Sequence, residues 1–377
     1  MKRDDIHYFG GTTLLKTRML TARDALASDS YLASLTGVAE THPTICPAWL
    51  GAYYRAFGNA DRDPVLLVQR EDGSTAGYLA LTRRRGGMGN LSRDLWSTTN
   101  GHSQYTALWA QEGEEADVVT AIFETLGRRN DWDRIYLQGL PEFWLDVIRA
   151  QVPHYHPAVV HQFENRMVAA GPDAILPEHL PSKKTLRKLR GQMRQLSDQG
   201  ILQLVKTTDP TELGPTLARY ISAERNSWKR QESGELLADD PAVDAFYYDI
   251  VAQAGRAFRP TIWTYEYEGD VVAGLLMLEN PAEWVMLKVF YHAEYARYSL
   301  GRNLLFAAVA AARNDATCIK LDTFSHLAKY DSFASHAECH GDLIGWNGGL
   351  RARSLRAAYG GLSRLRAYRL KPSQSLV

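Results

Sequence analysis

The residues best placed to do chemistry lie between 285 and 330. Residues 285–291 form an apolar run, a turn follows with Arg297 and Ser299, and an Ala- and Leu-rich stretch begins at Leu300-Gly301. This order predicts a strand, a tight turn and a helix. The first N–H groups of a helix have no partner inside it, and the helix dipole adds positive potential there. Arg297, Ser299, Gly301, Arg302 and Asn303 therefore frame an anion site that suits a pyrophosphate or a phosphopantetheine. Residues 318–322 read as a buried strand whose last residue is Asp322. That is where α/β folds present side chains to a cleft, although an Asp there also serves to cap the next segment. His326, with a free pKa near neutrality, Lys329 and Tyr330 follow on a loop. Upstream, Lys183, Lys184, Arg187 and Arg190 lie on a predicted helix with no acidic residue from 183 to 195. Leu186, Leu189, Met193 and Leu196 give that helix an apolar stripe, so it packs on the protein. Its charges read either as a solvated face or as a surface for an anionic partner. Glu224 and Trp228 share a later helix face, with Trp228 expected in the core and Glu224 positioned for an acceptor amine.

Taken in order, Ser182-Lys-Lys, Trp228, Ala273-Gly274, Tyr298-Ser-Leu-Gly301, Asp322 and Lys329-Tyr330 resemble the GNAT-like acyltransferases associated with bacterial cellulose biosynthesis, the CelD/BcsL type. The likeness extends upstream to residues 41–58, which look like that family's opening helix. Three departures stand out. Leu300 replaces a usual Pro, residues 323–326 replace a Gly-x-Glu, and the order of Lys329 and Tyr330 is inverted. The resemblance implies direct transfer of an acyl group from acyl-CoA or an acyl carrier protein to an amine. Asp322 and Lys329 would orient the acceptor, His326 would take a proton, and Tyr330 or Tyr291 would serve the departing thiolate. His292 and His102 are weaker candidates. The FemABX transferases share the tandem architecture, so a rival reading has an aminoacyl-tRNA donor held by the basic helix and the basic tail 351–371. A third reading is a non-catalytic partner in polysaccharide or natural-product assembly.

Composition fits an enzyme acting on small molecules. The chain has 377 residues, with 43 basic and 43 acidic side chains, which argues against bulk attraction to nucleic acid or membrane. Cys46, Cys318 and Cys339 lie too far apart for a disulfide framework or a C-x-x-C metal pair, and Cys318 in an apolar strand reads as core. No metal is expected. The first residues lack the apolar run of a signal peptide, so a cytoplasmic location is expected.

Periodicity predicts a helix over 47–58, strands over 64–70 and 75–82, a strand near 104–110, a helix over 114–129, a strand over 133–138 and a helix over 141–151. The second half repeats this order. Ala76-Gly77 and Ala273-Gly274 each follow a predicted hairpin turn, and 135–138 matches 319–322. The expected class is α/β (α+β), with two tandem GNAT-like lobes, each a mixed sheet flanked by helices, over 1–170 and 171–377. The helix at 114–129 begins among carboxylates that would repel a phosphate, so the donor site is expected in the second lobe.

Overall fold

The computed structural model describes residues 6–10, 13–28, 42–85, 91–171, 182–231, 236–253, 257–327 and 330–369. The first half contains β1 (Ile6–Gly10), β2 (Thr13–Thr21), α1 (Ala22–Leu26), α2 (Pro47–Ala56), β3 (Pro64–Gln69), β4 (Thr75–Arg85) and β5 (Arg93–Ser97). It continues through β6 (Leu108–Ala110), α3 (Glu115–Gly127), β7 (Arg134–Pro141), α4 (Glu142–Gln151) and β8 (Ala158–Ala169). The second half opens with α5 (Lys183–Ser197), β9 (Leu202–Thr207), α6 (Pro210–Glu224), α7 (Trp228–Gln231) and α8 (Pro241–Ala252). It then runs through β10 (Arg259–Tyr267), β11 (Asp270–Glu279), β12 (Glu283–Tyr291), α9 (Leu300–Asn314), β13 (Lys320–Asp322), β14 (His336–Trp346) and α10 (Leu350–Arg369).

The two lobes share one sheet. Its order is β1-β2-β3-β4-β5-β7-β14-β8-β13-β12-β11-β10-β9, with β6 attached to β4. Each lobe has antiparallel neighbours and one parallel pair: β5 with β7 in the first, β12 with β13 in the second. The tandem plan read from the sequence is therefore what the chain builds. What the sequence did not reveal is that the lobes exchange their last strands. β8, which ends the first half, pairs with β13, while β14 pairs with β7. A cut at 170/171 thus leaves β14 in the first lobe's sheet. β5, β8 and β14 also went unassigned. β8 is mostly exposed along its first half and β14 begins with polar residues, so neither shows a clean apolar pattern.

Three apolar clusters hold the layers together. One lies under the first lobe with α3 and α4, and another under the second lobe with α9. The third spans both lobes on the opposite face, where α2 meets α6 and α8. Trp49 meets Phe246 edge to face there (4.9 Å), and the Tyr247 hydroxyl lies 3.2 Å from His102 Nδ1. Burial pushes the His102 pKa down to about 3, so His102 is a neutral core ring and not a proton carrier for the reaction. α10 docks on β14 through Trp346 and Tyr359, and Arg351 reaches Asp133 (3.1 Å). Among the described residues, no helix is long and apolar enough to cross a membrane.

Candidate functional site

β12 and β13 pair only from Glu283↔Lys320 to Val285↔Asp322. β12 then continues to Tyr291 along β11 alone, so the two parallel strands part and open a cavity of about 520 Å³. Trp228, Val289, Tyr291, Gly301, Arg302, Leu305, Leu327, Tyr330 and Phe333 line it. The start of α9 closes one end. Its first helical hydrogen bond runs from Asn303 N–H to the Ser299 carbonyl (3.0 Å), so the N–H groups of residues 300–302 precede the ladder. Ser299 adopts a left-handed conformation (φ 55°), which turns the chain into the helix. Gly301 is required by close approach, since a Cβ there would lie 2.8 Å from Tyr291 Cδ1. Leu300, at the position of the family's Pro, is fully buried beneath the helix.

Two of the five residues expected for the donor, Gly301 and Arg302, line this cavity. The other three, Arg297, Ser299 and Asn303, are not among its lining residues. Arg297 stacks over the Tyr298 ring (4.6 Å) and donates to its hydroxyl, and Asn303 Nδ2 closes onto the Ser299 carbonyl (3.1 Å). The basic helix α5 packs directly behind this turn. Leu196 is buried, Met193 packs against the second-lobe core, and Gln192 Nε2 donates to the Arg297 carbonyl (2.6 Å). Lys183, Lys184, Arg187 and Arg190 all face solvent.

Of the residues expected to act on protons, Tyr330 and Tyr291 line the cavity. Burial pushes the Tyr330 phenol up to about 12, so it keeps its proton at neutral pH. Trp228, expected in the core, is half-buried and lines the same cavity, with its ring 6.1 Å from that of Tyr291. Lys329 lies outside the described residues. Glu224 is fully buried, with one oxygen on Lys229 and the other accepting from Leu237 N–H (2.7 Å). It ties the start of α7 to Leu237 and does not line the cavity.

Asp322 departs most from expectation. It is fully buried, facing no cleft, and accepts hydrogen bonds from Tyr105 OH (2.6 Å), His42 Nε2 (3.0 Å) and Phe324 N–H (2.7 Å). Burial alone would raise its pKa. The His42 contact, the Tyr105 hydroxyl and the Phe324 N–H outweigh burial and hold the carboxyl below its usual range. His42 comes from the first half, where Thr44 N–H donates to its Nδ1 (3.2 Å). Glu283 lies 3.7 Å from His42 Nε2, and Lys320 lies 3.4 Å from Glu283. His42, Glu283 and Asp322 offer ligand-type atoms within 4.8 Å of one another. The Asp322 carboxylate can only accept, so His42 carries a proton on Nε2, the atom facing it. Lys320 beside Glu283 adds a cation, so these side chains form a hydrogen-bonded ion cluster. No sequence pattern pointed to His42 or Tyr105 as partners, because the contacts bridge 280 and 217 residues.

His326 lies on the far side of the loop after β13. It lines a second cleft, of about 400 Å³, between the lobes, together with Gln104, Gln138, His161, Phe163 and Asp342. The cysteines supply no nucleophile. Burial pushes both Cys46 and Cys318 to about 12. Cys339 and His340 are neighbours on a strand and point to opposite faces; the His340 ring stacks on Tyr105 (4.9 Å). His292 Nε2 lies 2.8 Å from the Ala223 carbonyl, which ties it into the scaffold.

Residues 183–328 match the family model described as an acetyltransferase (GNAT) domain. No curated protein matches the chain. Among solved structures, the C-terminal DUF2156 domain of a putative lysylphosphatidylglycerol synthetase from Agrobacterium fabrum is similar over 87% of this chain and 95% of its own, at 12% identity and a TM-score of 0.52. FemX is similar over 87% of this chain and 96% of its own, at 8% identity and a TM-score of 0.52. A conserved protein of unknown function from Bacteroides thetaiotaomicron covers 85% of this chain and 98% of its own, at 8% identity and a TM-score of 0.54. Such low identities establish the fold alone. The chain has a GNAT-type fold, and its second half matches a GNAT acetyltransferase domain, which supports an acyltransferase enzyme.

Proposed function

We propose that the protein transfers an acyl group directly from a thioester donor, acyl-CoA or an acyl carrier protein, to an amine. The observation that carries this reading is the cavity between the parted ends of β12 and β13, closed by the start of α9. Its apolar walls, Val289, Leu305 and Phe333, suit a pantetheine arm, and the N–H groups at residues 300–302 suit the phosphates. In the reaction the amine nitrogen bonds the thioester carbonyl carbon, the C–S bond breaks, and the proton lost by the amine ends on sulfur. Tyr330 donates a hydrogen bond to the sulfur as charge develops. Outright transfer of its proton is uphill, because a phenol near 12 is a weaker acid than a thiol near 8.5. The motif order from Ser182 to Tyr330, resembling the CelD/BcsL type, supports the same reading.

A second reading, in which the donor is an anionic macromolecule such as an aminoacyl-tRNA, is favoured by one observation. The exposed basic face of α5 is joined to the donor turn through Gln192 and Arg297. The two readings share the cavity and differ in what lies outside it.

Calorimetry with CoA tests the cavity. Wild-type protein is expected to bind CoA, and Gly301→Asp to lose binding by on the order of a hundredfold, because a carboxylate then faces the phosphates and the new Cβ displaces Tyr291. Unchanged affinity in a variant with native circular dichroism rejects the site.

A further inference from the structure

We infer that the second cleft seats the acceptor through an ammonium group on Asp342, which gives up one proton to solvent before the nitrogen attacks, so that the acceptor is a small amine carrying hydroxyl or amide groups. This rests on the transferase reading above and names the substrate class for it. Asp342 sits at a double irregularity of β14: the register shifts between Asp342 and Leu343 against β8, and between Gly341 and Leu343 against β7. Bulges of this kind re-aim a side chain out of the ladder. Its carboxylate is held by neutral donors only, Gly139 N–H on Oδ1 (3.0 Å) and Tyr136 OH on Oδ2 (3.1 Å). Gly139 has φ +64°, and a Cβ there would lie 2.0 Å from the Gln104 carbonyl, so the amide that orients Asp342 depends on a glycine.

The charge on Asp342 is unmatched. The residue is 8% exposed, and its only ion-pair neighbour among the described residues is the solvent-facing His161 ring, 3.9 Å away. By contrast, the buried carboxylates Asp94, Asp133, Glu224 and Glu279 each pair with a Lys or Arg. A carboxylate so withdrawn from water without a Lys or Arg is costly, and a cation arriving from outside relieves the cost. The walls fit such a guest. The rings of Phe163 and His161, two residues apart on β8, lie 5.5 Å apart and offer an aromatic face. Gln138 uses its Oε1 to accept from Thr99 and Gln104 its Nε2 to donate to the Phe324 carbonyl, which leaves one amide atom of each for a hydroxyl or amide on the ligand. One loop borders both cavities: His326 lines this cleft and the next residue, Leu327, lines the donor cavity.

Matched pairs test the charge: glucosamine with glucose, putrescine with 1,4-butanediol, and ethanolamine with ethylene glycol, titrated calorimetrically into wild-type protein and Asp342→Asn. The Asn variant keeps both neighbours, its oxygen on Gly139 N–H and its amide on a turned Tyr136 hydroxyl, so it removes charge and little else. Wild-type protein is expected to bind at least one amine and not its alcohol, and Asp342→Asn to bind that amine on the order of tenfold or more weakly, with CoA affinity unchanged. Equal binding of amine and alcohol, an amine undiminished by Asp342→Asn, or no amine bound at all overturns the inference. The wild-type pairs decide the question even if the variant does not fold. Failure of CoA to bind counts against the transferase reading alone, since the amine titrations are read without it.

Discussion

Replacing Asp322 with Asn separates a catalytic Asp322 from a structural one. In the folded protein Oδ1 accepts from Phe324 N–H (2.7 Å), while Oδ2 accepts from both Tyr105 OH (2.6 Å) and His42 Nε2 (3.0 Å). The Asn oxygen must stay with Phe324, whose backbone can only donate. The Asn amide then meets two donors. His42 can accept from that amide once its proton moves to Nδ1, where the Thr44 hydroxyl lies 2.8 Å away to accept it, whereas the Tyr105 hydroxyl loses its acceptor. One buried donor is left without an acceptor and a charge-assisted contact is lost, so the variant is expected to lose about 2–3 kcal/mol. At the ~2–4 °C per kcal/mol typical of larger domains, the thermal midpoint should fall by about 4–12 °C. The carboxyl binds its proton less readily folded than unfolded. Its contribution is therefore whole above ~pH 4 and disappears as the pH falls through the lower folded pKa; in Asp322→Asn that acid loss should flatten. Denaturation followed by circular dichroism at pH 7 and along an acid series measures both. A variant within about 1 kcal/mol of wild type that loses on the order of a hundredfold in turnover would refute the structural role and return Asp322 to the reaction.

Three further outcomes follow from the geometry. Tyr330→Phe, at the cavity wall, should lower kcat on the order of 10²-fold with little change in the thermal midpoint, and an unchanged kcat removes Tyr330 from the chemistry. Glu283→Gln should leave stability at pH 7 unchanged or raised by up to ~1 kcal/mol. Burial first, then the neighbouring Asp322 and Glu338, raise the Glu283 pKa against the pull of His42 and Lys320, so its charge is costly; a loss beyond ~1 kcal/mol in denaturant titration contradicts this. Reversing Lys183, Lys184, Arg187 and Arg190 to Glu alters only solvent-facing groups. Turnover with free acyl-CoA should hold, while any transfer from carrier protein or tRNA should fall and lose its steep salt dependence; equal activity with both donor types before and after reversal dismisses the basic face.

The elements that close the cavity were legible because they are local. A strand, a turn with a required glycine and an amphipathic helix follow one another between Glu283 and Asn314, and each leaves a periodic or conformational trace. Trp228 shows where such reading stops: expected on one helix face with Glu224, it instead opens a separate helix, α7, and reaches the cavity where β12 parts from β13. Asp322 illustrates the same limit. The end of a buried strand was correctly read, yet what the side chain faces is decided by His42 and Tyr105, delivered from the other lobe. The exchange of β8 and β14 is what brings that lobe so close. It carries Asn165, Phe163 and Asp342 to the seam between the halves, so the groups there come from strands that no local pattern joins. On the proposed reading, such a chain keeps its donor site within one continuous segment and divides its acceptor cleft between two. Local motifs then point to the class of reaction, while the choice of acceptor rests on contacts more than a hundred residues apart, such as Asp342 with Gly139 and Tyr136.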